Sequence, residues 1–166
     1  ADKELVAMSD REFKAAIIRP PMAYGGGMAP GNMLRLIRLV NKHIPLPFGS
    51  ARNSRDFINV KNLVEFIHLA VEKEGEGVFY PTDKVPYSTR NVVEEISRQL
   101  GVHTINLPSP SIFLKLIEKV RPDLYQKLWG DVVIDRQLAL SAIGYEPRYT
   151  LEDGIREMVE SFKRQK

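Results

Sequence analysis

The chain has 166 residues, of which 43% are hydrophobic and 27% are charged, with no cysteine and a formal net charge of +3. This composition is that of a globular protein with a buried core, and it excludes disulfides and cysteine-ligated metals. Basic and acidic residues are interspersed and no apolar run approaches the roughly 18 residues of a membrane span, so we expect no nucleic-acid partner and no membrane insertion. The charged first residues predict no signal peptide and a cytoplasmic protein.

The first strong signal is an apolar run at residues 15–18, which predicts a buried strand of a parallel sheet. Pro20 and Pro21 follow and forbid further ladder pairing, and three glycines at residues 25–27 permit close backbone approach. Ligands of open α/β sheets bind beyond the carboxyl ends of the strands. We therefore expect this loop to lie at a ligand site. Residues 2–9, which precede the strand, are predicted to form a short helix.

The rest of the chain alternates between helical and extended patterns, which is typical of an α/β fold. Helices are predicted over residues 31–43, 60–73, 88–100, 110–120, 122–129 and 135–143, and from 150 onward, and extended segments over 44–49, 55–60, 77–81 and 104–107. In the helix at 60–73 the predicted inward face consists of Leu63, Val64, Ile67, Ala70 and Val71. His68 of the same helix is predicted to be packed, and the three histidines lack the spacing of metal ligands.

Seven short motifs carry a family resemblance through their order and spacing. They occupy residues 18–25, 44–49, 55–63, 78–80, 100–101, 143–147 and 150–155. The arrangement resembles the C-terminal half of an extended short-chain dehydrogenase/reductase, closest to the NAD-dependent sugar-nucleotide epimerases and dehydratases of the UDP-glucose 4-epimerase-like group. The resemblance implies an α/β fold, namely the C-terminal part of a Rossmann-type sheet plus a smaller α/β substrate-binding lobe.

The resemblance also implies a domain division. Residues 1–30 would be the last elements of a truncated dinucleotide-binding domain, and residues 31–166 mainly a substrate-binding lobe, with about 55–75 returning to the sheet. The sequence contains no Gly-x-Gly-x-x-Gly loop, and the family's catalytic Tyr-x-x-x-Lys pair is expected upstream of Ala1. We therefore expect NAD to serve the parent enzyme in hydride transfer, and this chain alone to be inactive and to bind NAD weakly or not at all.

Arg55 is the strongest candidate for a binding residue. It follows a flexible polar turn, and a guanidinium there can hold a diphosphate through bidentate hydrogen bonds. The resemblance implies the same role, because the matching arginine of the family holds the nucleotide diphosphate. The alternative is an exposed arginine paired with Asp56 or with solvent.

The resemblance implies further contacts at the loop and in the lobe. Pro20 and Pro21 would form a wall against the nicotinamide, and the nucleotide-sugar would contact Met22, Tyr24, Asn32, Leu46 and Phe48. Each position also has a structural alternative: a strand end with Tyr24 as a packing residue, a helix N-cap at Asn32, and lobe packing at Leu46 and Phe48. The chain departs from the family pattern at Met22, often Asn, and at Asn62, often Asp.

Together these features predict the substrate-binding half of an NAD-dependent UDP-sugar epimerase or dehydratase. Its partner would be a nucleotide-sugar, and we expect a homo-oligomer because the strand at 15–18 would keep an unpaired edge. The alternatives are a non-catalytic α/β nucleotide-binding or protein-interaction module, or a reductase of the same family that acts on non-nucleotide substrates. The sugar, the base and the choice among epimerisation, dehydration and reduction stay open.

Overall fold

The computed structural model describes residues 4–5, 8–9, 13–27, 31–135 and 137–165. The fold is α/β with parallel strands, as predicted. The strands are β1 (Ala16–Ile18), β2 (Met22–Tyr24), β3 (Phe57–Asn59) and β4 (Gly77–Phe79). The helices are α1 (Asn32–Asn41), α2 (Val60–Glu72), α3 (Thr89–Leu100), α4 (Ser111–Val120), α5 (Pro122–Trp129), α6 (Gln137–Ile143) and α7 (Leu151–Arg164). The predicted helix at 2–9 lies mostly outside the described residues, although Glu4 and Leu5 are helical.

The chain forms two compact units, each built from several segments. The strand unit holds all four labelled strands with α2 and α6, and the helical unit holds the other helices. The strand unit comprises Ala1–Tyr24, Asp56–Val85 and Ile134–Thr150, and the helical unit comprises Gly25–Arg55, Pro86–Val133 and Leu151–Lys166. No helix in the described part of the chain is long and apolar enough to cross a membrane.

The strand unit contains two short parallel ladders. In the first, β1 pairs with β4 and Ile17 lies opposite Val78. In the second, β2 pairs with β3 and Ala23 lies opposite Ile58. The sequence analysis was wrong to treat the residues after Pro21 as a loop only. The two prolines end the first ladder, since they have no N–H to donate, but the chain then enters a second ladder.

Aromatic rings fill the core of the strand unit. The Phe66 ring of α2 lies 5.7 Å from Phe79 and 5.2 Å from Tyr145, in a nearly perpendicular arrangement with the latter. The predicted inward face of α2 was wrong in part, because Val64 is 61% exposed and Val71 is 75% exposed. The buried positions on α2 are Asn62, Phe66 and Ala70, four residues apart.

His68 was also predicted wrongly. Its side chain is 79% exposed and lies 3.9 Å from Glu72 on the next turn of α2. Apolar residues occupy more than one side of this helix, so spacing alone does not fix which side faces the core.

In the helical unit, α3 packs against both α1 and α7. The predicted ends of α3 are confirmed: Ser88 and Asn91 form a reciprocal capping box, and Gly101 adopts the left-handed conformation with φ of 73°. The buried side chains of the three helices include Ile37, Val40, Val93, Ile96, Ile155 and Val159. The apolar stripe of each helix therefore meets the others, which is the pattern expected of amphipathic helices.

Two extended segments run side by side in the same unit. The Leu46 N–H donates to the Ile105 carbonyl at 2.9 Å, and the Leu107 N–H donates back to Leu46 at 2.8 Å. The Gly49 N–H continues the pairing to the Leu107 carbonyl at 2.9 Å. A Cβ at position 49 would lie 2.9 Å from the Leu107 carbonyl carbon and closer still to the Asn106 carbonyl oxygen. Only glycine fits this close approach of two backbones.

Gly49→Ala should therefore destabilise the protein by about 1–3 kcal/mol, because the methyl group would force the two backbones apart. Gly31→Ala is the matched control, since a Cβ there meets nothing within 4 Å. Urea unfolding of both variants checks this. Equal free energies of unfolding for the two variants would contradict the backbone contact.

Candidate functional site

A buried carboxylate, Asp83, lies where several segments of the strand unit meet. Its oxygens accept hydrogen bonds from the Tyr24 hydroxyl at 2.6 Å, the Asn59 N–H at 2.9 Å and the Asn62 amide at 2.6 Å. Burial raises the pKa of the Asp83 carboxyl, these three hydrogen bonds oppose that rise, and the charge of Asp56 adds to it. The donors come from the ends of β2 and β3 and from the first turn of α2, so the carboxylate links all three elements.

Asn62 extends the connection to a fourth segment. Its amide oxygen accepts the N–H groups of Arg148 at 3.0 Å and Tyr149 at 2.9 Å, and its amide nitrogen also donates to the Tyr149 carbonyl at 2.8 Å. Asn62 is fully buried. The two N–H donors would also suit a carboxylate, but the Tyr149 carbonyl needs a donor, which an amide has and a carboxylate lacks.

In the helical unit, main-chain carbonyls orient Arg55. Its Nη1 donates to the carbonyls of Gln126 at 2.9 Å and Gly130 at 2.7 Å, at the end of α5. Within the described residues, Nε and Nη2 make no hydrogen bond. Burial lowers the pKa of the guanidinium, the negative charge of Asp131 acts in the opposite direction, and arginine stays charged at any physiological pH. The Nε–Nη2 edge of the guanidinium thus has no hydrogen-bond partner among the described residues.

The Gly130 carbonyl, which accepts a hydrogen bond from Arg55, also accepts one from Asn53. Its amide nitrogen donates to Gly130 at 3.3 Å and to the Thr89 hydroxyl at 3.1 Å, and its oxygen accepts the Thr89 N–H at 3.0 Å. Its side chain is almost fully buried. The start of α3, the end of α5 and the turn before Arg55 are therefore joined through one amide.

The predicted site residues fall into both units. In the strand unit, Pro20 is exposed and Pro21 half-buried after β1, and Met22 is half-buried at the start of β2. Tyr24 is buried, with its ring against Phe57 and its hydroxyl on Asp83. This contact is the packing arrangement that we considered as the alternative for Tyr24.

In the helical unit, the ring of Phe48 lies 5.2 Å from that of Trp129, the last residue of α5. The same end of α5 supplies the Gln126 carbonyl that accepts from Arg55. Leu46 and Phe48 are buried, and their N–H groups already donate to residues 105 and 106. Asn32 is exposed at the first position of α1, where Gly31 is the N-cap and no side chain caps the helix. The capping role considered for Asn32 is therefore taken by Gly31.

Sequence reasoning missed two of these residues, Asp83 and Asn53. Neither lies in a motif, and their partners are remote in sequence: Tyr24 is 59 residues from Asp83, and Gly130 is 77 residues from Asn53.

Tyr80 and Lys84 also have the Tyr-x-x-x-Lys spacing, which the sequence analysis did not note. They flank Pro81 in a non-helical segment, so the spacing does not place them on one helix face as it would in a helix.

Comparison with protein families supplies a direct match over the first half of the chain. Residues 1–80 match the model described as the NAD dependent epimerase/dehydratase family. The matched range contains β1 to β4, Arg55 and Asn62, so the matched segment includes most of the strand unit and the strongest binding candidate.

Individual relatives agree with the family match. The chain is 34% identical to UDP-glucose 4-epimerase of Vibrio cholerae over 168 residues, covering 98% of this chain and 51% of that protein. The chain thus spans about half the length of this relative.

Among the described residues, no group of three or more His, Asp or Glu side chains is placed to hold a metal ion.

Solved structures show the same fold at low identity. A UDP-glucuronic acid 4-epimerase from Bacillus cereus, in complex with NAD, superposes with a TM-score of 0.67 at 18% identity over 90% of this chain and 44% of that one. A UDP-glucose 4-epimerase from Thermotoga maritima, with UDP-glucose, has a TM-score of 0.66 at 19% identity over 93% of this chain and 47% of that one. The predicted Rossmann-like α/β fold is confirmed.

Asn53→Asp should destabilise the protein by about 3 kcal/mol, because a buried carboxylate would face acceptors that now receive the amide N–H groups. Asn91→Asp makes the same chemical change at the exposed capping box of α3, where the side-chain oxygen accepts hydrogen bonds from Ser88. There we expect no loss of stability, since an acidic residue suits a helix N-terminus. Chemical denaturation of the pair tests this, and a stable Asn53→Asp protein would contradict the hydrogen-bond assignment.

Proposed function

We propose that this chain supplies the nucleotide-sugar-binding half of an NAD-dependent UDP-sugar epimerase or dehydratase. The observation that carries the proposal is the guanidinium of Arg55, with Nη1 held by two carbonyls and the Nε–Nη2 edge facing no described partner. This edge has the spacing of two oxygens of one phosphate group. The family match and the relationship to a UDP-glucose 4-epimerase support a nucleoside diphosphate as the ligand class.

Further groups in the helical unit suit the same ligand class. Residues 25–27 are glycines with φ of 97°, 66° and 114°, so this backbone has no side chains to keep a ligand away. The first turn of α1 has no side-chain cap, which leaves its N–H groups for an anion or for water. Asn32 at that turn adds an amide. These features support a phosphate- and sugar-binding role for the helical unit, in addition to the bidentate contact proposed for Arg55.

The residues after β1 suit part of a dinucleotide only. Pro20 and Pro21 have no N–H groups, so they offer apolar edges and carbonyls, which suit the flat face of a nicotinamide and not a pyrophosphate. NAD, which the family match implies for the parent enzyme, would supply the hydride acceptor. In our proposal Arg55 of the helical unit holds the diphosphate. In the strand unit, Met22 contacts the sugar and the two prolines contact the nicotinamide.

Arg55→Ala should weaken UDP binding by about 1.5–3 kcal/mol, the range for hydrogen bonds to a charged group. Arg55→Lys should recover only part of this, because lysine lacks the planar fork. Titration calorimetry of the chain with UDP and with UDP-sugars measures both. UDP affinity that Arg55→Ala leaves unchanged would reject the assignment, and a chain that binds none of these ligands would favour the interaction-module alternative.

Asp131→Asn is the matched control for this experiment. The Asp131 carboxylate accepts the Ser54 N–H at 2.7 Å, and an amide oxygen can accept the same bond. The change removes a negative charge near Arg55 and preserves local geometry, so UDP should bind this variant at least as tightly as the original chain.

We further propose that the chain self-associates through its first strand. β1 pairs with β4 along one edge, and among the described residues its other edge has no ladder partner. An open edge is a template for pairing with a second chain. Sedimentation at high protein concentration should show a dimer or larger species. A monomer in which the amides of β1 are protected from hydrogen exchange would contradict this.

A further inference from the structure

The chain enters and leaves the strand unit beside one buried polar network. The boundary residues of the unit's segments are Tyr24, Asp56, Val85, Ile134 and Thr150. Tyr24 donates to Asp83 within the network, and the Ile134 N–H donates to Asp56 at 2.7 Å in a separate hydrogen bond. The negative charge of Asp56 also acts on Asp83 and raises the pKa of its carboxyl. The other two lie within two residues of Asp83 and Tyr149. Each of these five boundary residues therefore lies at one of these hydrogen bonds or within two residues of one.

Asp83 joins the network through both its main chain and its side chain. Its own N–H donates to the Phe57 carbonyl at 2.8 Å, and its carboxylate accepts the Asn59 N–H at 2.9 Å. One residue thus holds β3 at two points through main-chain and side-chain atoms. The same carboxylate fixes Tyr24, the last residue of β2.

The second branch passes through Asn62. The Asn62 amide bonds to Asp83 on one side and to the N–H groups of Arg148 and Tyr149 on the other. All of these contacts are buried or partly buried, so none is readily replaced by water. Loss of the Asp83 charge should therefore weaken the hydrogen bonds of the Arg148 and Tyr149 N–H groups. Neither residue bonds to Asp83 directly in this set, so the effect passes through Asn62.

We propose that Asp83 is a positioning residue for the nucleotide-sugar site, an inference that rests on the proposed function. Asp83 fixes Tyr24, which directly precedes the three glycines, and it fixes Phe57, two residues after Arg55. It contacts no ligand itself. Its effect on binding passes through the strand ends from which the ligand-binding segments continue.

Asp83→Asn tests the positioning role without reference to any ligand. The variant removes the negative charge and replaces one acceptor oxygen by an amide nitrogen, so the bonds that the Asn59 N–H and the Asn62 amide donate are no longer charge-assisted and should weaken. Hydrogen exchange at the amides of Asn59, Arg148 and Tyr149 should accelerate about tenfold, the equivalent of one such bond. Exchange at Ile155 and Met158 in α7 should not change. Unchanged protection at the first three amides, or equal acceleration in α7, would overturn the proposal.

Titration with UDP tests the link to the site. Asp83→Asn should bind UDP about tenfold more weakly than the original chain. Asp153→Asn, an equal charge change at a half-buried position of α7, should bind it unchanged. If the original chain binds no UDP, the proposed function fails, and hydrogen exchange alone decides the role of Asp83. If it binds UDP and Asp83→Asn binds equally well, the positioning role is overturned.

Exchanging the acid and the amide between positions 62 and 83 provides a rescue experiment for the hydrogen bond between them. Asn62→Asp alone should be the most damaging variant, since it places two carboxylates in the contact that now measures 2.6 Å. The double variant Asn62→Asp with Asp83→Asn restores one carboxylate and one amide, and should regain part of the protection. A double variant no better than Asn62→Asp alone would overturn the pairing. If Asp83→Asn fails to fold, Tyr24→Phe removes one donor and should give the same exchange pattern at smaller amplitude.

Discussion

The carboxylate of Asp83 is the constraint on which the strand unit depends. Removing a carboxylate from water costs several kcal/mol unless hydrogen bonds replace its hydration. Here the replacements come from the end of β2, the end of β3 and the first turn of α2. Each strand is only three residues long, which is short for an independently stable ladder. The strands are therefore held by the groups at their ends as much as by their own ladder.

The helical unit positions its candidate binding residue by a different means. Arg55 is oriented by the carbonyls of Gln126 and Gly130, which fix the guanidinium without cancelling its charge. A carboxylate in the same place would orient it equally well but would compete with an anionic ligand. Asp131 provides part of that opposing charge, although its carboxylate is bonded to the Ser54 N–H. An arginine held by neutral acceptors is suited to binding a phosphate and releasing it again.

Sequence reasoning succeeded where the determinants are local. Helix α3 begins at Ser88 and ends at Gly101 because a hydroxyl caps one end and a left-handed residue closes the other. Helix α5 has proline at its first position, where the missing N–H costs nothing. Strand β2 could not be predicted in this way, because its three residues follow two prolines and are strand only through pairing with β3, more than 30 residues later.

The inward face of α2 and the residues of the network depended on remote partners. Phe66 is buried because Phe79 and Tyr145 meet it, and no periodicity within α2 distinguishes it from Val64. Arg55, by contrast, could be selected from the sequence, because its residue type, its polar turn and its family motif all indicate anion binding. Whether it contacts a nucleotide stays a prediction.

The network also explains how the chain accommodates an amide at position 62, where the resembling family often has Asp. The Asn62 oxygen serves two N–H donors, and the nitrogen serves a carbonyl and Asp83. An aspartate could fill the first role, but beside Asp83 it would face a like charge. A negative charge is present in this region of the fold at Asp83, whose carboxylate accepts from the Asn62 amide at 2.6 Å. Because the four partners require one acid and one amide between the two positions, the residue at 62 and the residue at 83 constrain each other, and neither can be interpreted from its own motif alone.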